Sequence, residues 1–292
     1  MFRIVILDSG IDQALMKNQP NILLKNFTEE DDYDLNGHGT KTYSLIRQLS
    51  KKKNFQIKVI KVLNRDLECN YLNLKNALEF LERVDFDILN ISLATECNKY
   101  FDDINNICHN LNNQGKTIVA SHSNTNKLSY PASSKHVIGV LGEKMNNWFD
   151  YNILHQDNKD VIADNTPVVC STINGGYDLY SGNSKATACI TSLLTYFKKD
   201  VKLFETLSFK NYDLRQIIRR INNIELLRNT DESINLIERV GRNKFEEFLH
   251  EISLEFDINY EENLFNINDF SSSISLSNKI YETKQRELYA II

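Results

Sequence analysis

A chain of 292 residues, 41% hydrophobic and 25% charged, can bury one large core, or one core plus a small appendage. A net charge of −5 and no basic block beyond the three lysines at 51–53 exclude an electrostatic nucleic-acid binder. No apolar stretch approaches the length of a membrane span, so no membrane partner is expected.

The first two-thirds of the chain alternates short apolar runs with helical patterns. Residues 4–7, 56–63, 87–93, 117–121 and 136–141 are rich in Val, Ile and Leu. Each run has the length of a buried parallel strand. Between them the spacing predicts helices over 40–49, 72–84 and 101–112. In the second of these, Leu72, Leu74, Ala77, Leu78, Phe80, Leu81 and Val84 mark one helical face. Strand–helix alternation implies an α/β fold, a parallel sheet flanked by helices. Functional groups in such sheets sit on loops beyond the carboxyl ends of the strands. Further helices are expected over 183–197 and 212–221, the latter packing on the sheet.

After Leu226 the composition turns acidic. Two parts are therefore expected: a main domain over 1–225 and a small acidic helical module over 226–292. Within the module, 244–256 is amphipathic, with Phe245, Phe248, Leu249, Ile252 and Phe256 on one face.

Three motifs sit at element ends. Asp8-Ser9-Gly10 closes the first apolar strand, His38-Gly39-Thr40 opens the first long helix, and Gly182-Asn183-Ser184-Lys185-Ala186 opens an apolar helix. A serine hydroxyl is a weak nucleophile until a base removes its proton, and a carboxylate orients that base. Asp8, His38 and Ser184 are the residue types such chemistry requires.

These motifs, in the order Asp, His, Ser, resemble those of the subtilases, the subtilisin-like serine peptidases. Asn183 stands where the family usually has threonine. Leu89-Asn90-Ile91-Ser92-Leu93-Ala94 resembles the family's peptide-pairing strand, with Ala94 in place of a glycine. Val119-Ala120-Ser121-His122-Ser123-Asn124 resembles the segment ending in the oxyanion-hole asparagine, and the loop from Ser129 to Ser133 follows at a familiar distance. The resemblance covers roughly residues 4–221. It implies a three-layer subtilisin-like sandwich and a serine endopeptidase with a triad of Asp8, His38 and Ser184. It further implies that Asn124 is an oxyanion donor and that Ser92, Leu93, Ala94, Ser121, His122 and Ser123 contact a peptide or protein substrate. The alternative is an inactive module that keeps the fold and binds peptide.

No cofactor or metal is expected. Subtilases often bind structural calcium, but no calcium loop can be mapped from the residues. Asp31, Asp32 and Asp34 form an acidic cluster before His38. It is read as a solvated loop, with selection of a basic substrate group or a cation as the alternatives. Five scattered cysteines read as reduced thiols, and no signal segment precedes the first strand, so a cytoplasmic enzyme processing a precursor or leader peptide is expected. The tail faintly resembles an acyl- or peptidyl-carrier domain, with Ser273 at the prosthetic-group position. Docking of a partner through 226–292 and a plain helical extension are the other readings.

Overall fold

The computed structural model describes residues 2–50, 55–125, 128–145, 147–155, 160–197, 214–224, 227, 235–256, 258 and 265–291. The chain divides into two compact units, Met1–Glu205 and Thr206–Ile292.

The first unit is built on an eight-stranded sheet. Its strands are β1 (Phe2–Asp8), β2 (Leu23–Asn26), β3 (Phe55–Lys61), β4 (Ile88–Ile91), β5 (Thr117–Ser121), β6 (Ile138–Glu143), β7 (Tyr151–His155) and β8 (Asp160–Asp164). The spatial order is β2-β3-β1-β4-β5-β6-β8-β7. Every neighbouring pair is parallel except β7 with β8.

Alternation along β1 explains the layers. Successive side chains point to opposite faces of a strand. Val5 and Leu7 pack with Leu74, Leu78, Ile104 and Leu111, from α3 (Tyr71–Leu81) and α4 (Phe101–Asn113). Ile4 and Ile6 pack on the other face with Tyr43, Ile46, Ala188 and Cys189, from α2 (His38–Leu49) and α5 (Gly182–Tyr196). Both faces are therefore covered, as the apolar runs require. This is the three-layer α/β architecture expected from the sequence.

Five elements of this unit escaped the sequence pattern: β2, β7, β8 and a two-stranded hairpin of β9 (Val168–Ser171) and β10 (Tyr177–Tyr180). A short helix, α1 (Gln13–Asn18), was also not predicted. All are short, six residues or fewer, so none spans enough periods for its hydrophobic pattern to stand out.

The second unit has its own core. Its helices are α6 (Leu214–Asn223), α7 (Leu236–Val240), α8 (Phe245–Phe256) and α9 (Ser273–Ile291). Ile217, Ile221, Phe248, Ile252, Phe256 and Ile280 are buried together. The 212–221 helix, expected to pack on the sheet, therefore belongs to the tail unit. Composition had placed the boundary near 225, while the compact units divide at 205. The reason is that Ile217 and Ile221 of α6 share one buried cluster with Phe248 and Ile252 of α8 and Leu276 and Ile280 of α9, a grouping that charge composition does not register. Ser273 does open α9, but it is fully buried, so a carrier-type prosthetic group cannot be mounted there as the resemblance implied. Among the described residues no helix is long and apolar enough to cross a membrane.

Candidate active site

The site lies where the strand order turns back. From β1 the chain runs to β2 and β3 on one side and then to β4 on the other, which opens a crevice beyond the carboxyl ends of β1 and β4. Asp8 is the last residue of β1, and Ser92 follows β4 directly.

Asp8 is fully buried. A buried carboxylate needs partners on both oxygens. Oδ1 accepts the Ser9 amide at 2.8 Å and faces His38 Nδ1 at 2.7 Å, while Oδ2 accepts the Thr42 hydroxyl at 3.0 Å. The carboxylate only accepts, so Nδ1 carries the proton and Nε2 is the basic nitrogen. Burial by itself lowers the His38 pKa. The charge and hydrogen bond of Asp8 outweigh it, and the net shift is upward from 6.5.

His38 opens α2 immediately after Gly37. Asp34 fixes that helix end. Its Oδ1 accepts the Asn36 and Gly37 amides and the Ser9 hydroxyl, and its Oδ2 accepts the amide and hydroxyl of Thr40. Negative charge at a helix N-terminus is also favoured by the dipole. Asp34 is buried, which corrects the reading of the whole acidic cluster as a solvated loop. The same loop also receives an internal cation. Lys61, at the end of β3, is fully buried and donates to the carbonyls of Asp31 and Tyr33, both at 2.9 Å. Gly39 is required by close approach, since a Cβ there would lie 2.3 Å from the Gly10 carbonyl oxygen.

Ser184 lies in the first turn of α5 and is half-buried. Asn183 explains its own departure from threonine. Its Oδ1 accepts the Gly142 amide at 2.8 Å, and its Nδ2 donates to the carbonyls of His122 and Ser123 at 3.0 and 3.2 Å. The start of α5 is thus tied to the ends of β5 and β6. Behind it, buried Lys185 pairs with the Asp164 carboxylate.

His38, Ser184 and Asn124 line one cavity of about 390 Å³. Ser92, Leu93, Ala94 and Thr95 form one wall, and Tyr71 and Tyr100, stacked with ring centroids 3.6 Å apart, form another. No hydrogen bond joins the Ser184 hydroxyl to His38 among the described residues, and such contacts often tighten only around substrate. Cys69 also lines the cavity, but burial raises its thiol to about 11, so it is not a thiolate nucleophile at neutral pH.

Ser121, His122 and Ser123 do not line this cavity. Ser121 is buried at the end of β5. The His122 ring is engaged by Ser129 and Asp160, at 3.3 and 3.0 Å, and the Ser123 hydroxyl donates to Glu96 at 2.6 Å. Thr42 and Tyr180 are the site residues that sequence reasoning missed, and Asp34 was named there without its part in fixing the helix end. Thr42 was legible as the residue one helical turn after His38, whereas nothing local marks Tyr180. Among the described residues no group of three or more His, Cys, Asp or Glu side chains is placed to hold a metal ion.

No curated protein matches the sequence. A solved structure described as a cold adapted subtilisin-like serine proteinase matches with a TM-score of 0.55 at 17% identity, covering 72% of this chain and 82% of that one. At that identity it speaks for the fold. The family model for the Subtilase family matches residues 2–235, and with that match spanning most of its length the chain belongs to the Subtilase family.

Proposed function

We propose that this protein is a serine endopeptidase in which Ser184 attacks the scissile carbonyl. His38 Nε2 takes the serine proton and returns it to the leaving amine. Asp8 holds the ring in the correct tautomer and stabilises its cation. Asn124 and the Ser184 backbone N–H receive the developing oxyanion. Ser92, Leu93 and Ala94 lie along the cavity wall where an extended peptide would pair. The observation that carries this reading is the 2.7 Å Asp8–His38 contact beside the cavity that His38 shares with Ser184.

The stacked tyrosines favour an apolar or aromatic substrate side chain near the nucleophile. A narrow-specificity enzyme that trims a precursor or leader peptide fits that wall. Five free cysteines are in keeping with a reducing, cytoplasmic setting. The acidic second unit would serve as a docking surface for a basic partner. A fluorophosphonate probe tests the chemistry, because it labels only an activated serine. Covalent labelling of Ser184 in the wild type is expected. A folded protein that stays unlabelled would instead be the inactive peptide-binding alternative.

A further inference from the structure

The second oxygen of Asp8 is held by a buried relay that the peptidase mechanism does not itself require. Thr42 Oγ1 lies 3.0 Å from Asp8 Oδ2, 3.1 Å from the His38 carbonyl and 2.7 Å from the Tyr180 hydroxyl. Thr42 has one proton to give. A carboxylate accepts only, and the charged acceptor forms the stronger bond, so that proton goes to Asp8. The Tyr180 O–H is then left to donate to the Thr42 oxygen. Tyr180 is buried at 3% exposure, and its ring meets the His38 imidazole edge-on, with centroids 5.5 Å apart and planes at 87°. Burial first, and then the Asp8 charge, push the phenol well above 10, so it remains a donor throughout the working pH range. Tyr180 closes β10, four residues before Ser184, while Thr42 lies one turn after His38.

We propose that Thr42 and Tyr180 are positioning residues. Together they fix the Asp8 carboxylate from behind, and the Tyr180 ring limits rotation of His38. The relay links three elements, β1, α2 and β10, to one carboxylate. It also spreads the charge of Asp8 over a second donor, which tempers how strongly Asp8 raises the basicity of His38. This inference rests on the peptidase reading above for its catalytic consequence, but the electrostatic effect is present without catalysis.

The test uses the full chain in two backgrounds. In Ser184→Ala protein, His38 is titrated by NMR through its ring carbon signal. Thr42→Val should move that titration to higher pH, because the carboxylate then directs more of its charge at the imidazolium. Thr42→Ser should leave it in place. In protein that retains Ser184, Thr42→Val should lower kcat about ten- to a hundredfold with KM little changed, and Thr42→Ser should restore it. Tyr180→Phe keeps the ring and removes one oxygen. It should shift His38 in the same direction by less, and it decides the matter if valine is not tolerated at 42. An unchanged His38 titration in a folded Thr42→Val or Tyr180→Phe protein overturns the inference. A wild type inert to fluorophosphonate removes the peptidase reading alone, since the titration is made without the nucleophile.

Discussion

The Ser9 hydroxyl donates to the Asp34 carboxylate at 2.9 Å and accepts the Gly39 amide at 2.9 Å, so one buried serine fastens the loop after β1 to the first turn of α2. Asp8 and His38 lie 30 residues apart in sequence and come from these two elements. Their alignment is therefore set by Ser9 and Asp34 as much as by their own contact.

Asp34→Ala leaves five donors without their acceptor in a buried setting. Each stranded donor costs on the order of 1–3 kcal/mol, reduced where water enters. A loss of at least about 3 kcal/mol is expected, read as a fall in the denaturation midpoint. Asp34→Asn keeps two acceptor lone pairs and should cost less. A midpoint unchanged in Asp34→Ala would mean that the loop does not depend on this carboxylate.

Ser184→Ala and His38→Ala should each reduce peptide hydrolysis to near background while leaving the circular dichroism spectrum unchanged. The groups act as a unit, so the double variant should be no slower than the slower single one. Multiplicative losses would argue against a shared step.

Asn124→Ala should lower kcat by about 10²–10³, the loss typical of removing one oxyanion donor from a protease of this kind, with little change in KM. Steady-state kinetics on one peptide substrate decides it. An effect confined to KM would assign Asn124 to ground-state binding.

Hydrolysis needs neutral His38, whose pKa is raised above 6.5, so kcat/KM should climb with pH through an apparent pKa above that value. For stability the sign is opposite. The His38–Asp8 contact contributes fully below about 6.5, and that contribution fades as pH rises through the folded-state value. Asp164 behaves in the reverse way. Burial would raise its pKa, but hydrogen bonds from Lys185 and Thr166 and from the Thr166 and Met145 amides lower it on balance. Its contribution is present above its unfolded pKa of 3.8 and is lost as pH falls through the lower folded value. Thermal melts against pH should show Asp164→Asn flattening the acid limb only.

A chain ending after Glu205 should keep fluorophosphonate labelling while cleaving its natural partner poorly, because docking raises effective concentration without touching the triad. One ending at Thr230 should aggregate instead. It strands Ile217 and Ile221 without Phe248 and Ile252, and each such side chain contributes roughly 1.5–3 kcal/mol when buried. Labelling lost in the shorter chain would show that the second unit stabilises the first.

The sequence by itself determined the alternation of buried strands and amphipathic helices, because period-2 and period-3.6 patterns are local. It also placed Asp8, His38 and Ser184 at element ends, where glycines mark the turns. What tertiary structure decided are the long-range partners. Asp34 looks like one of several surface carboxylates until folding aims five donors at it. Lys61 lies unmarked within an apolar run until the carbonyls of Asp31 and Tyr33 receive its ammonium. Tyr180 sits on a strand too short to leave a pattern, and its hydroxyl finds Thr42 from 138 residues away. The helix at 214–223 shows an amphipathic face in sequence, and only the apolar cluster it shares with α8 and α9 assigns it to the second unit. Burial and hydrogen-bond direction depend on what the rest of the chain brings alongside, and a one-dimensional pattern holds no record of that.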